Sequence, residues 1–259
     1  MPRHELERKP RRPRTLNLLL GALAIAALVF GGVQWAGAGG PEAGEGASAQ
    51  APGENGAGGG GSEVGDPTAD GTNADGAVQL ERRIEGDPMA IGAIDAPVVL
   101  NEWIDFRCPF CAVFSRDTFP QLVEEYVDSG EVRIEMHDVA YFGDESLRAA
   151  AAARAAGEQG RYFEFVGAVY EAAPESGHPE LPVEQLLMLA EQAGVPDLER
   201  FEADMQRDDL VAAVQESTSR AQQLGVSGVP FFAVGEQAFS GAQPIESFRQ
   251  FLDEQLAGA

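Results

Sequence analysis

The sequence predicts an α/β domain interrupted by an all-helical block, carried behind one transmembrane helix and a disordered linker. Three observations predict it. An apolar run follows a basic N-terminus. A long stretch of small and acidic residues separates that run from the rest of the chain. Beyond about residue 84, strand-like runs and helical periodicity follow the order strand, helix, strand, helices, strand hairpin, helix.

Residues 1–15, MPRHELERKPRRPRT, hold six of the eighteen Lys and Arg, including Lys9, the only lysine. From Leu16 to about Ala36 the chain reads LNLLLGALAIAALVFGGVQWA. That is about the twenty residues a bilayer crossing needs. Basic residues before the span keep the N-terminus in the cytoplasm and export the remainder of the chain. The rival reading is a cleaved signal peptide with Ala36-Gly37-Ala38 as its site; the run exceeds the usual 7–15 residues of such a signal, which favours the anchor. The rest of the chain is then expected on the periplasmic or cell-wall side of a single-pass membrane protein.

Residues 37–83 form the expected linker. Through residue 76 they are Gly, Ala, Glu, Ser, Pro and Asn with almost no large apolar side chain, too few to offset the entropy of ordering. About forty such residues reach roughly 35 Å on average. The remaining residues, 84–259, suffice for one domain with a core.

In order, Val98–Ile104 reads as a buried strand and Pro109–Val127 as a helix kinked at Pro120. Val132–Met136 reads as a second strand. Residues 144–224 are helical, as segments 145–157, 160–172, 183–193, 197–206 and 208–224, and are expected to form a lobe of their own. Val229–Val234 and Ala238–Ser240 form a hairpin, and a helix from Pro244 to Leu256 closes the domain. Strand–helix–strand implies a parallel pair with a right-handed crossover. The aromatic cluster at 162–170, and Met136, Met188 and Met205, are read as core.

Residues 77–259 carry 33 Asp and Glu against 12 Arg. Such a surface repels nucleic acid and anionic lipid, so no nucleic-acid partner is expected. No dimerisation segment is visible in the linker, and a monomer is expected.

The only two cysteines, Cys108 and Cys111, lie in EWIDFRCPFCAVFSRDTFP. Structural zinc wants four ligands, and this chain offers one pair, with His137 and His178 at no ligand spacing. Copper carriage would want accompanying Met or His. A structural disulfide across two residues closes too small a loop to constrain the unfolded chain much. Redox chemistry fits both spacing and placement, and it needs neither metal nor cofactor. Cys108 ends a strand and starts a helix, where backbone N–H groups and the helix dipole favour its thiolate. Pro109 suits the first helical turn, and Arg107 stands by as a source of positive charge or as a plain exposed side chain. Cys111, one turn further in, is expected to be more buried and to act second.

Strand, Cys-Pro-Phe-Cys, helix, long helical insertion and a late Gly228-Val229-Pro230 together resemble the DsbA-like thiol–disulfide oxidoreductases of the thioredoxin superfamily, over about residues 84–257. The resemblance implies a thioredoxin-like fold and a cis Pro230 beside the cysteines, exposing the Val229 backbone to a substrate strand. It implies exported cysteine-containing proteins as substrates and a membrane-embedded, quinone-linked partner for reoxidation. It also places an acid, here Glu102, beneath the second cysteine as its proton carrier. Glu102 is the one polar member of the strand face Val98, Leu100, Glu102, Ile104; a strand edge open to solvent would equally explain it. Phe110 stands where the best-known oxidase of the family has His, so strong oxidising power is not implied. Phe110 and Pro109 are candidate docking residues for substrate; a simple hydrophobic cap is the other reading of Phe110. A reductase or isomerase of the same fold, or a binding protein with a static Cys108–Cys111 bridge, are the alternatives.

Overall fold

The structure is a computed structural model and describes residues 79–259. The expected membrane span and most of the expected linker lie outside the described residues. Among the described residues no helix is long and apolar enough to cross a membrane.

Among the described residues five strands make one mixed sheet. They are β1 (Ala90–Ile91), β2 (Val98–Ile104), β3 (Val132–Asp138), β4 (Phe231–Val234) and β5 (Gln237–Ser240), in the order β1-β3-β2-β4-β5. Only β2 and β3 run parallel, as the strand–helix–strand order requires. The strand β2 is central and wholly buried, which its unbroken run of large side chains foretells. β1 escapes sequence reading because two residues carry no periodicity. It approaches β3 so closely that a Cβ on Gly92 would lie 2.7 Å from the Val132 carbonyl, and Gly92 has φ +102°. Only glycine fits there.

The helix expected over 109–127 is two pieces and a turn. α1 (Pro109–Asp117) ends at Thr118, α2 (Phe119–Leu122) follows, and Val123–Val127 is a π-helical turn closed by the Asp128 amide on Val123 O at 2.9 Å. Pro120 has no N–H to continue the first ladder, so the axis breaks there. The helical block is α3 (Asp144–Gly157), α4 (Tyr162–Glu171), α5 (Val183–Gln192), α6 (Leu198–Asp204) and α7 (Asp208–Gln223); α8 (Ile245–Leu256) closes the chain. Seven alanines between 149 and 156 are fully buried. Their small size lets α3 pass through the middle of the block with helices packed around it.

The block is not the separate lobe expected. Its core is continuous with Ile104, Cys108, Cys111 and Met136 of the sheet and redox turn. A second cluster joins Val98, Leu100, Ile134 and Phe232 to α1, α2 and α8. On the opposite face Trp103 and Ala233 pack against α7 through Ala221. Two further corrections concern the edges. Met188, expected in the core, is 57% exposed, because it sits on the outer face of α5; Met136 and Met205 are buried. Residues 79–83, placed with the linker by composition, are held to the sheet: Glu135 accepts the amides of Arg82 at 2.6 Å and Arg83 at 2.9 Å. Composition misses this because backbone amides and two arginine side chains, not apolar groups, make the contacts.

Candidate active site

Cys108 is the N-cap of α1. The end of β2 and a tight turn put it there: its amide donates to Asp105 O at 3.0 Å, and its carbonyl accepts the Ala112 amide at 3.2 Å. The Cys111 amide donates to Cys108 Sγ at 3.4 Å, in the manner of a capping oxygen. Cys108 Sγ in turn donates to the Val229 carbonyl at 3.3 Å, across 121 residues of chain. The Val229-Pro230 bond is cis. The fold therefore brings Cys108, Cys111, Val229 and Pro230 together. Neither cysteine is bridged.

The two cysteines are almost equally covered, at 3% and 1% exposure. They differ in electrostatics. A hydrogen bond from the Cys111 side chain lowers the Cys108 thiol pKa, burial opposes it, and the amides of Cys111 and Phe110 lower it further. Burial pushes the Cys111 thiol well above the ordinary range, and its hydrogen bond to Cys108 adds to this. One sulfur is primed to ionise and its neighbour is held protonated.

Glu102 lies in the middle of β2 at 2% exposure, opposite Met136 and Phe232. No strand edge opens to solvent near it. Its Oε2 has no hydrogen-bond partner. Burial alone raises its pKa to about 8. Its side chain shares the face of Leu100 and Ile104, between the two apolar clusters they belong to.

Phe110 is 63% exposed beside the cysteines, and Pro109 is half-buried. Arg107 fits neither sequence expectation. Its side chain is mostly covered, pairs with Glu145 at 3.0 Å and donates to the carbonyls of Pro179 and Phe142 at 2.7 and 2.8 Å. The charge is spent on the helical block. His178, from the loop before α5, meets the Arg107 carbonyl at 2.8 Å. Sequence reading missed Asp105. Its one available signal was a carboxylate at a strand end, three residues before the first cysteine.

Residues 85–254 match the family model described as Thioredoxin. A relative named probable disulfide bond formation protein D, from Bacillus cereus, is 30% identical over 172 residues, 64% of this chain and 78% of the relative. This chain belongs to the thioredoxin family. Within it, the chain is a DsbA-like thiol–disulfide oxidoreductase, similar also to disulfide bond formation protein D of Bacillus subtilis, at 23% identity over 70% of this chain and 82% of the relative. The thioredoxin-like fold recurs in BdbD from Bacillus subtilis, with a TM-score of 0.62 and 22% identity over 67% of this chain and 95% of that one. Wolbachia pipientis α-DsbA1 shares it at a TM-score of 0.58 and 20% identity, over 66% and 91%.

Proposed function

We propose that this oxidoreductase works outside the cytoplasm, tethered through residues 16–36, and makes disulfides in exported proteins. Cys108 is the sulfur that attacks and is attacked, and Cys111 resolves. The observation that carries the assignment is the contrast between the two: a Cys108 sulfur that accepts an amide at the start of α1, and a Cys111 thiol whose ionisation burial suppresses. The names of the Bacillus relatives, disulfide bond formation proteins, support the direction, toward disulfide formation.

In the oxidising direction a substrate thiolate attacks Cys108 of the Cys108–Cys111 disulfide. The S–S bond breaks, and the Cys111 sulfur leaves with the electron pair. Glu102, protonated near neutral pH, gives it a proton. A second substrate thiolate then attacks the substrate sulfur of the mixed disulfide and releases Cys108 as thiolate. The substrate gains a disulfide, the enzyme becomes a dithiol, and two electrons have passed to it. Reoxidation reverses these steps against a membrane-embedded, quinone-linked partner. When Cys111 attacks a mixed disulfide, Glu102 takes the thiol proton; a pKa of about 8 suits an acid–base group working near neutrality. Val229 presents its backbone to the substrate chain beside Cys108, Pro230 shapes that segment, and Phe110 and Pro109 form an apolar landing surface. The enzyme acts as a monomer.

The test is trapping. Cys111→Ser should accumulate mixed disulfides with exported proteins through Cys108, seen as reducible adducts on a gel, and Cys108→Ser should accumulate almost none. Equal trapping, or the reverse pattern, refutes the roles. A C-terminal reporter active only outside the cytoplasm tests the location, and a silent reporter refutes it.

A further inference from the structure

We propose that Asp105 is a positioning residue for the redox pair, a buried anion that ties the cysteine turn to the helical block and restrains the pair's oxidising strength. Its carboxylate is fully buried. Oδ1 accepts the Arg107 amide at 2.8 Å and the Ser146 hydroxyl at 2.7 Å. Oδ2 accepts the amides of Tyr141 at 2.7 Å and Phe142 at 3.3 Å. The Asp105 carbonyl accepts the Cys108 amide at 3.0 Å and the Tyr170 hydroxyl at 3.1 Å. One residue thus fastens the turn, the β3–α3 loop, the start of α3 and the end of α4 to a single point.

The donors also fix its charge. Each oxygen receives two, and three of the four are backbone amides, which can only donate. This set favours the ionised carboxylate against burial, which raises its pKa above the ordinary carboxylate value. Among the described residues no guanidinium hydrogen-bonds to it; that of the neighbouring Arg107 turns instead to Glu145 and two carbonyls. Dipoles alone hold this anion three residues before Cys108. An anion there disfavours a Cys108 thiolate, and its charge acts on Cys108 in that direction. The thiolate exists only in the reduced enzyme. Disfavouring it weakens the enzyme as an oxidant.

The inference rests on Cys108 being the attacking sulfur. Two variants test it because they push in opposite directions. Asp105→Asn removes the charge at nearly constant shape. Ser146→Ala keeps the charge and removes one of its four dipoles. The measurements are the ultraviolet absorbance of the Cys108 thiolate against pH and the equilibrium with glutathione, with thermal melting of each variant. Asp105→Asn should lower the Cys108 pKa and shift the equilibrium toward the reduced enzyme by roughly threefold or more, half a pK unit. Ser146→Ala should move both quantities the other way. If Asp105→Asn fails to fold, the direction of Ser146→Ala decides. A role limited to holding the turn moves both variants the same way or moves neither, and either result overturns the proposal. An error in the Cys108 assignment shows itself separately, in the trapping pattern.

Discussion

Replacing Glu102 by Gln should make the stability gap between variant and parent depend on pH. Glu102 is buried between two apolar clusters, its Oε2 has no partner, and burial raises its pKa from 4.5 to about 8. The unfolded chain loses this proton near pH 4.5, whereas the folded chain keeps it until about pH 8. Between those values the folded state holds the extra proton, so stability falls as pH rises, then levels off above about 8. The window spans about 3.5 units. At 1.36 kcal/mol per unit the loss has a ceiling of about 5 kcal/mol. Gln carries no charge at any pH and escapes the loss. Its amide needs partners of its own, which sets a constant offset visible at pH 5. The assay is urea unfolding of both reduced proteins from pH 5 to 8.5, comparing midpoints at equal m-values. Between those limits the gap should move in favour of Glu102→Gln by roughly 4 kcal/mol. The lowered Cys108 pKa has the opposite linkage, adding stability to the reduced enzyme as pH rises toward 9, but it is common to both proteins and cancels. A gap constant within about 1 kcal/mol refutes the raised pKa.

Three other outcomes are expected. At pH 7 an alkylating reagent should modify Cys108 of the reduced enzyme at least about ten times faster than Cys111, as peptide mapping after short exposure would record. Arg154 holds the fully buried Asp138 by two bonds of 2.7 Å, so Arg154→Met should cost about 3–5 kcal/mol in urea unfolding, and adding Asp138→Leu should restore most of it. Phe110→Ser should change folding stability by no more than about 0.5 kcal/mol, yet raise KM more for a peptide disulfide with apolar flanks than for one with polar flanks.

The legible parts of this chain are those where a local rule and the tertiary outcome agree. β2 is legible at both ends because seven large residues in a row suit only a strand covered on both faces. The helices of the block are bounded to within a few residues because Gly and Pro stand at their ends. Pro120 announces a break, but the π-helical turn after it is a choice between i−4 and i−5 partners that no residue type dictates. The pairing of Cys108 with Val229 and Pro230 is legible only through the family resemblance, since nothing local links residues 121 positions apart. Asp105 is illegible for the same reason. Its meaning comes from Ser146, Tyr141 and Phe142, whose donors converge on it only after the helical block has folded. Met188 misleads because an apolar residue in an amphipathic helix need not face inward when the neighbouring turn already fills the core.

The asymmetry of the two cysteines has a simple physical origin. Both sulfurs are covered, so desolvation penalises both thiolates. The Cys108 sulfur receives the Cys111 thiol and, at the N-cap, the amides of Cys111 and Phe110, and together these outweigh the desolvation penalty. One helical turn onward the amides are engaged in the helix, and the backbone hydrogen bond at Asp105 that works against the penalty on Cys111 does not overcome it. The same desolvation raises Glu102. In the proposed mechanism this is what lets the acid serve Cys111. A carboxylate with its ordinary pKa would be too weak a base for a thiol raised by burial, and proton transfer would run uphill by several units. Burying both groups in one apolar region raises them together and narrows the gap that the proton must cross. An enzyme with Glu102→Gln should therefore lose the decay of the Cys108 adduct, not its formation, when a model peptide disulfide is mixed rapidly with the reduced protein. Equal decay in variant and parent from about pH 6 to 8 refutes its part in resolution.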